Sequence, residues 1–325
     1  MPQISVLMSV YKEPITWLRQ SIDSILKQSF TDFEFIIICD NPDYADAVNL
    51  IREYESIDNR IVALYNTENI GLTKSLNKGL SISKGKYIAR MDADDISDEK
   101  RFELQYSFME KNPSIVVCGT QIEYFGDVPF LSSTSWIKQF NDDIKAYLIF
   151  SSCFAHPSVF IRNSILRSNN IKYDENYPRS QDYKLWLDLY DKGDFANLQD
   201  KLLRYRYSST QITRSANSQQ RDCAMNVRRC MVSLWLKRLG LNNLEIDNYD
   251  VFTLRRVIGN ELRGLKQKYC RSLLKVYYFG VRKKKIKTLL FSLITGDFFH
   301  LSSFEKLQFL LISIGRSDGI TFYKE

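Results

Sequence analysis

The 325-residue sequence predicts an α/β fold: a mostly parallel sheet with helices on both faces, followed by a helical C-terminal region. Three observations carry this reading. Up to about residue 91, short apolar runs alternate with amphipathic stretches, the order of a βαβ sheet. The run Phe33 to Cys39 is too apolar on both faces for an exposed sheet, which suits a central parallel strand. After about Ser215 the alternation ends, and apolar residues recur only at helical spacing.

The elements follow in order. Ile4 to Tyr11 is an apolar run, and after Pro14 the residues Ile15, Leu18, Ile22, Ile25 and Leu26 mark a helix face. The second strand, 33–39, stops abruptly at Asp40-Asn41-Pro42. A helix over 44–56, a strand over 61–65, a helix over 72–82 and a strand over 86–91 complete the alternation. A further helix is expected from Ser97 to Lys111, stopped by Asn112-Pro113, then a strand over 114–120 and a loop from Phe125 to Trp136. His156 to Arg162 reads as a strand and Gln181 to Tyr190 as a helix. In the tail, Leu262, Leu265, Tyr269, Leu273 and Val276, then Ile286, Leu289, Leu290, Leu293 and Ile294, then Phe304, Leu307, Leu311 and Ile314 each form a helical stripe, with Ser302 and Glu305 as a capping box. The expected boundary lies between Ser208 and Gln220, giving a catalytic domain over 1–215 and a helical basic region over 216–325.

Composition narrows the class. A hydrophobic content of 44% and an aromatic content of 13% fit a globular protein and exclude a disordered one. No apolar run approaches the length of a bilayer span, and Met-Pro-Gln-Ile-Ser-Val lacks the basic region of a secretory signal, so the cytoplasm is the expected compartment. Cys39, Cys118, Cys153, Cys223, Cys230 and Cys270 are scattered, with no close pair of the zinc or redox type, and are expected to be reduced core residues. The net charge of +7 is uneven: Arg255 to Lys287 holds twelve Lys or Arg against Glu261 alone, a local +11 that leaves the rest at −4.

The chemistry concentrates in Arg90-Met91-Asp92-Ala93-Asp94-Asp95, directly after a predicted strand. Clustered carboxylates repel one another unless a cation or hydrogen-bond donors offset them. A hard divalent ion, Mg²⁺ or Mn²⁺, is the natural partner because it takes oxygen ligands and bridges to diphosphate. The same residues also read as a solvated turn capping the next helix through Asp95, Ser97 and Asp98. Asp40 ends the second strand, at the same sheet edge as Asp92 when the strands are parallel; it suits a base or ribose hydrogen bond, or a turn before Asn41-Pro42. Between them, Gly71 opens a helix whose N-terminus offers N–H groups to an anion, with Lys74 adding charge.

At these residues the sequence resembles the family 2 glycosyltransferases of the GT-A fold, a Rossmann-like sheet. The match runs from Val6-Leu7-Met8-Ser9-Val10-Tyr11 through Asp40, the Asn69-to-Gly79 string and Gly85-to-Asp95. It continues to Pro113, Gly119, His156-Pro157-Ser158-Val159, Gln181-Asp182-Tyr183-Lys184-Leu185-Trp186 and Tyr205-Arg206, over about the first 215 residues. The resemblance implies that Ser9, Tyr11 and Asp40 line the base and ribose of a UDP-sugar, with Lys74 and Ala93 on the donor side. It implies Asp92-Ala93-Asp94 as the Asp-X-Asp motif, Asp92 toward ribose and metal and Asp94 toward a Mn²⁺ or Mg²⁺ on the diphosphate. Asp182 corresponds to the catalytic base, and His156, Gln181 and Trp186 fall on the acceptor side; helix capping by Asp182 and a structural role for His156 are the alternatives.

The sequence departs from the family pattern at Ser9 and Lys12, where Pro and Asn are frequent, at Gln181, where Glu is frequent, and at Ser208, where many relatives carry a metal-completing His. The metal is then expected to be held mainly by Asp94, diphosphate oxygens and water. The expected reaction is inverting transfer of glucose or galactose from a UDP-sugar to a polyprenyl-diphosphate-linked saccharide, in O-antigen or capsule synthesis. Arg282-Lys283-Lys284-Lys285 beside Ile286, Leu289, Leu290, Leu293 and Ile294 suits a helix lying on the anionic inner face of a cell membrane, a peripheral attachment. A packed appendage with a solvated basic face is the plainer alternative, and no nucleic-acid partner is expected. Two rival classes remain. A sugar-nucleotide pyrophosphorylase would open with a Gly-rich phosphate loop, which Met8 to Glu13 lacks. A basic nucleic-acid-binding module would bind through the tail.

Overall fold

The computed structural model describes residues 1–127, 134–149, 151–208 and 218–238. The tail stripes, the Ser302–Glu305 box, His300, Cys270 and the basic run 255–287 lie outside the described residues. The elements are β1 Ile4–Val10, α1 Ile15–Leu26, β2 Phe33–Cys39, α2 Ala45–Ile57, β3 Ile61–Tyr65, α3 Leu72–Ile82, β4 Tyr87–Asp92, β5 Ile96–Ser97, α4 Arg101–Lys111, β6 Ile115–Gly126, α5 Asn141–Leu148, a 3-10 turn His156–Ser158, β7 Phe160–Arg162, α6 Asn163–Ser168, α7 Gln181–Leu189, β8 Asp194–Tyr207 and α8 Ser218–Arg238.

The chain divides into two compact units, residues 1–144 with 152–224, and residues 145–151 with 225–325. The first unit holds an eight-stranded sheet in the order β3-β2-β1-β4-β7-β6-β8-β5. Strands β3, β2, β1 and β4 are parallel, β7 runs antiparallel between β4 and β6, and β6 pairs with β8 in parallel. In the second unit's part of α8, Val227, Met231 and Trp235 recur at every fourth position and are buried.

Both faces of the parallel block are covered because both are apolar. Ile4, Val6, Met8 and Val10 of β1 point to one face with Phe35, Ile37, Tyr87, Ala89 and Met91, in one core with Leu18, Ile22 and Ile25 of α1 and Phe102 of α4. On the other face a Cβ at Gly79 of α3 would stand 3.0 Å from Ile38 Cδ1 and 3.1 Å from Leu7 Cδ2, so this helix lies close against β1 and β2. The register sets Ser9 beside Asp92 and Leu7 beside Arg90 on that second face.

Several boundaries differ from the sequence expectation. The helix expected from Ser97 begins at Arg101, because Ile96 and Ser97 pair with Arg204 and Leu203 and are drawn into the sheet. The strand expected over 114–120 continues to Gly126, into the stretch read as loop, because β8 supplies a partner along its length. His156 to Arg162 is a 3-10 turn and then a shorter strand; Pro157, which has no N–H to donate, sits in the first turn. Of the cysteines expected in the core, Cys39, Cys118 and Cys153 are buried, whereas Cys230 is exposed on α8.

Candidate active site

The carboxyl ends of β1, β2 and β4 open onto one edge of the sheet, where a doubly covered parallel sheet binds ligands. Asp92 closes β4, and the turn after it brings Asp92, Asp94 and Asp95 together with one ligand oxygen of each within 4.8 Å of the others. Burial, Asp92 and Glu13 push the Asp94 carboxyl up to about 7. Asp95 is buried, its Oδ2 has no hydrogen-bond partner, and burial and then its neighbouring carboxylates hold it well above the usual range. An oxygen-only donor set with a stranded buried oxygen and a mutual repulsion of this kind fits a hard divalent cation, Mg²⁺ or Mn²⁺. Asp98 Oδ1 accepts from the Lys100 N–H at 2.9 Å, just before α4, and α4 itself has no side-chain cap hydrogen bond.

Arg90 lies beneath this turn, 2% exposed, and its Nη2 donates to Asp92 Oδ1 at 2.5 Å. Its Nε and Nη1 are buried with no partner. The Arg90 carbonyl accepts from Arg101 Nη2 at 2.8 Å, and burial lowers the fully enclosed Arg101 guanidinium to about 9. Ser21 Oγ donates to the Asp92 carbonyl at 2.7 Å, tying α1 to the strand end.

Of the residues expected to bind the donor, Ser9 adjoins Asp92 in the sheet. Tyr11 is exposed and lines an open cleft of about 780 Å³ with Lys12, Asn41, Tyr44, Glu68 and Asn69. Asp40, just before the cleft residue Asn41, is buried with its carboxylate already engaged. Its Oδ1 accepts from Asn66 Nδ2 at 2.8 Å and Ile70 N at 2.9 Å, and its Oδ2 from Gly71 N at 2.9 Å. Asp40 thus shapes the loop that leads into α3, where Gly71 holds φ +85° at the N-cap, a conformation open to glycine. Lys74 stands exposed in the first turn of that helix, and Ala93 is buried between the two Asp-X-Asp carboxylates.

Asp182 occupies the first turn of α7, after Ser180 in the left-handed region at φ 55°. Burial raises its carboxyl to about 6, opposed by the N–H groups at the helix start; Asp92 raises it further and Arg90 lowers it. The base candidate and the Asp-X-Asp turn are therefore close enough to feel each other's charge. His156 Nε2 lies 2.8 Å from Tyr173 Oη, and burial, then Arg90, hold the imidazole well below its usual pKa, so it is neutral at pH 7. Trp186 is fully enclosed, packed edge-on to His156 at 6.2 Å and tilted against Phe154 at 5.0 Å, and it supports the site from behind. Gln181 is likewise buried.

The fold adds two residues that sequence reasoning does not single out. Glu13 accepts from Tyr11 N at 2.7 Å and is pushed up by burial and by Asp92, so it is a further carboxylate at this edge. A carboxylate just past the end of β1, at an edge already holding Asp40 and Asp92, is the available signal. Arg206 stands in the sequence only as part of a motif; in the fold its Nε donates to the Asp94 carbonyl at 2.6 Å and its backbone N–H to Asp95 Oδ1 at 2.7 Å. Ser208, where relatives carry His, is buried.

Residues 5–168 match the family described as Glycosyl transferase family 2. An uncharacterized glycosyltransferase of Methanocaldococcus jannaschii is 38% identical over 212 residues, 63% of this chain and 71% of that protein. The O-antigen biosynthesis glycosyltransferase WbnJ of Escherichia coli is 33% identical over 220 residues, 66% of this chain and 83% of the relative. Among solved structures, that of S. aureus TarS 1-349 in complex with UDP-GlcNAc aligns with a TM-score of 0.62 at 14% identity, over 98% of this chain and 93% of TarS. The chain belongs to glycosyltransferase family 2 and carries the GT-A fold.

Proposed function

We propose that this chain is an inverting, metal-dependent hexosyltransferase that moves glucose or galactose from a UDP-sugar to a polyprenyl-diphosphate-linked saccharide. The observation that carries the reading is that Asp182, raised to about 6, lies close enough to Asp92 of the clustered Asp92–Asp95 turn to feel its charge. Inverting transfer needs two things there: a charged site for the departing diphosphate, and one carboxylate on the acceptor side.

In this account Tyr11 offers its ring to the base in the open cleft, Asp40 keeps the loop before α3 in shape, and Lys74 with the start of α3 faces the phosphates. Asp92 and Asp94 would hold Mn²⁺ or Mg²⁺, and the ion would supply positive charge toward a diphosphate leaving group. The acceptor hydroxyl oxygen forms a bond to the anomeric carbon from the face opposite UDP. The carbon–oxygen bond to UDP breaks, UDP keeps the electron pair, and the hydroxyl proton passes to Asp182. A base near pKa 6 is charged at neutral pH and still accepts a proton readily.

The choice of acceptor draws on relatives: WbnJ is named for O-antigen biosynthesis and AmsE of Erwinia amylovora for amylovoran biosynthesis. The UDP part of the donor draws on TarS, solved with UDP-GlcNAc and with UDP. Residues 1–215 form the catalytic domain in this reading, and the basic region within 216–325 rests on the inner face of the cell membrane. No described helix is long and apolar enough to cross a membrane. A screen of UDP-sugars with and without Mn²⁺, reading UDP release with a polyprenyl-diphosphate-linked acceptor, tests the proposal. Metal-dependent, acceptor-dependent release from one UDP-hexose is expected. Release that ignores both metal and acceptor overturns it.

A further inference from the structure

We propose that Arg206, near the end of β8, is a positioning residue that fixes the shape of the Asp92–Asp95 turn and thereby sets its affinity for a divalent cation. This rests on the reading of that turn as a cation site. The turn has every reason to open: it exposes the end of a strand and gathers carboxylates that repel one another. Arg206 holds it at two points that directly follow the Asp94 side chain. Its Nε donates to the Asp94 carbonyl at 2.6 Å, and its own backbone N–H donates to Asp95 Oδ1 at 2.7 Å. The Asp94 side chain, directly before these anchors, is left partly exposed.

The guanidinium is itself held rigidly. Its Nη2 donates to Gln20 Oε1 of α1 at 2.7 Å, and its Cζ lies 4.6 Å from the centre of the Trp17 ring and 4.3 Å from that of Phe125. Aromatic contacts on the group leave its N–H donors to act in the guanidinium plane, where one edge meets α1 and another meets the turn. Three elements, α1, β6 and β8, are thus fastened to the turn through one side chain that is 8% exposed. A lysine keeps the charge but has neither the plane nor the fork, so it cannot bond Gln20 and Asp94 while lying against the rings. That difference separates positioning from simple charge neutralisation.

The test is direct Mn²⁺ binding in the presence of UDP, read by the electron paramagnetic resonance signal of free Mn²⁺, on the full chain and on Arg206→Lys, Arg206→Met and Gln20→Ala. Circular dichroism and thermal midpoints show which variants remain folded. Arg206→Lys and Arg206→Met should bind Mn²⁺ equally poorly, at least about 10-fold more weakly than wild type, the usual scale for groups that orient ligands from behind. Gln20→Ala, which removes the distal anchor and leaves the turn's own bonds, should lose about threefold. Should both Arg206 variants fail to fold, Gln20→Ala carries the test, and unchanged Mn²⁺ binding in it overturns the proposal. Arg206→Lys binding like wild type while Arg206→Met does not would assign charge alone and overturn positioning. Folded variants that lose thermal stability but bind Mn²⁺ as wild type does would make the role structural, also overturning it. A wild-type chain that takes up no Mn²⁺ removes the cation site and this role together, a failure visible before any variant is compared.

Discussion

The two halves of the sheet are built by different physics. From β1 to β4 the strands are mostly apolar runs, the first three each followed by a helix, and they align in parallel with their carboxyl ends on one edge. From β5 to β8 the sheet is assembled from pairings across long stretches of chain, β6 with β8 and β5 with β8. The first half supplies the Asp-X-Asp turn and the cleft beside Tyr11, and the second supplies Asp182 and Arg206. In the proposed reaction this is a division of labour: donor chemistry on the repetitive half, acceptor chemistry and support on the irregular one. Each of the following substitutions is expected to disturb one half without the other.

The largest effect is expected at the end of β4. Asp94→Ala should abolish transfer while leaving the fold intact, because it removes a cation ligand from a partly exposed turn. Full activity without added metal would remove the Asp-X-Asp assignment. Next comes Asp182→Asn, which should lower kcat by roughly 10²-fold or more, the scale of a lost general base. Stability should move the other way. A carboxyl raised from its ordinary 3.8 to about 6 stabilises the fold below pH 3.8, and that contribution is lost as pH rises through about 6. At pH 7 the Asn variant should therefore melt no lower than wild type, and a lower melting temperature with unchanged kcat would return Asp182 to helix capping.

A packing test of the parallel half is smaller. A Cβ at Gly85, between α3 and β4, would stand 2.4 Å from Ser5 N and 2.6 Å from the Ile4 carbonyl carbon, and backbone atoms cannot move aside cheaply. Gly85→Ala should cost about 1–3 kcal/mol or more in urea unfolding. Unfolding at the wild-type midpoint would mean that β1 and the start of β4 are not so closely apposed. The mildest test is pH: at saturating Mn²⁺, where a bound cation would keep Asp94 ionised, kcat/KM should be level above about pH 6 and fall by about tenfold per unit below it, as Asp182 takes up its proton. A profile flat down to pH 4.5 would contradict the base assignment.

The same division decides what can be read from the sequence. Strands β1 to β4 are legible because their signal is local: Phe33 to Cys39 and Tyr87 to Met91 are apolar runs with turn residues behind them. The Asp92–Asp95 turn is legible because Asp92, Asp94 and Asp95 crowd like charges directly behind such a strand, an arrangement that repels itself until a cation or donors offset it. Strand β8 is not, since Asp194, Asp200, Lys201, Arg204 and Arg206 break its apolar pattern, and its identity as a strand depends on β6, far away in the chain. Asp40 is legible as a strand-end carboxylate, yet its engagement with Asn66, Ile70 and Gly71 is not, because only the fold brings those donors to it. The nearness of Glu13 to Asp92 and the bonds of Arg206 escape for the same reason: only the fold brings these groups together.

The claim that donor binding and proton transfer belong to separate halves is tested most directly by calorimetric titration of UDP with Mn²⁺ into wild type, Asp94→Ala and Asp182→Asn. The account predicts that Asp94→Ala loses metal-dependent UDP binding, while Asp182→Asn binds UDP within about twofold of wild type although its turnover has collapsed, the signature of a group used in the transition state alone. Equal weakening of UDP binding in the two variants, or metal-dependent binding that survives in Asp94→Ala, would contradict it.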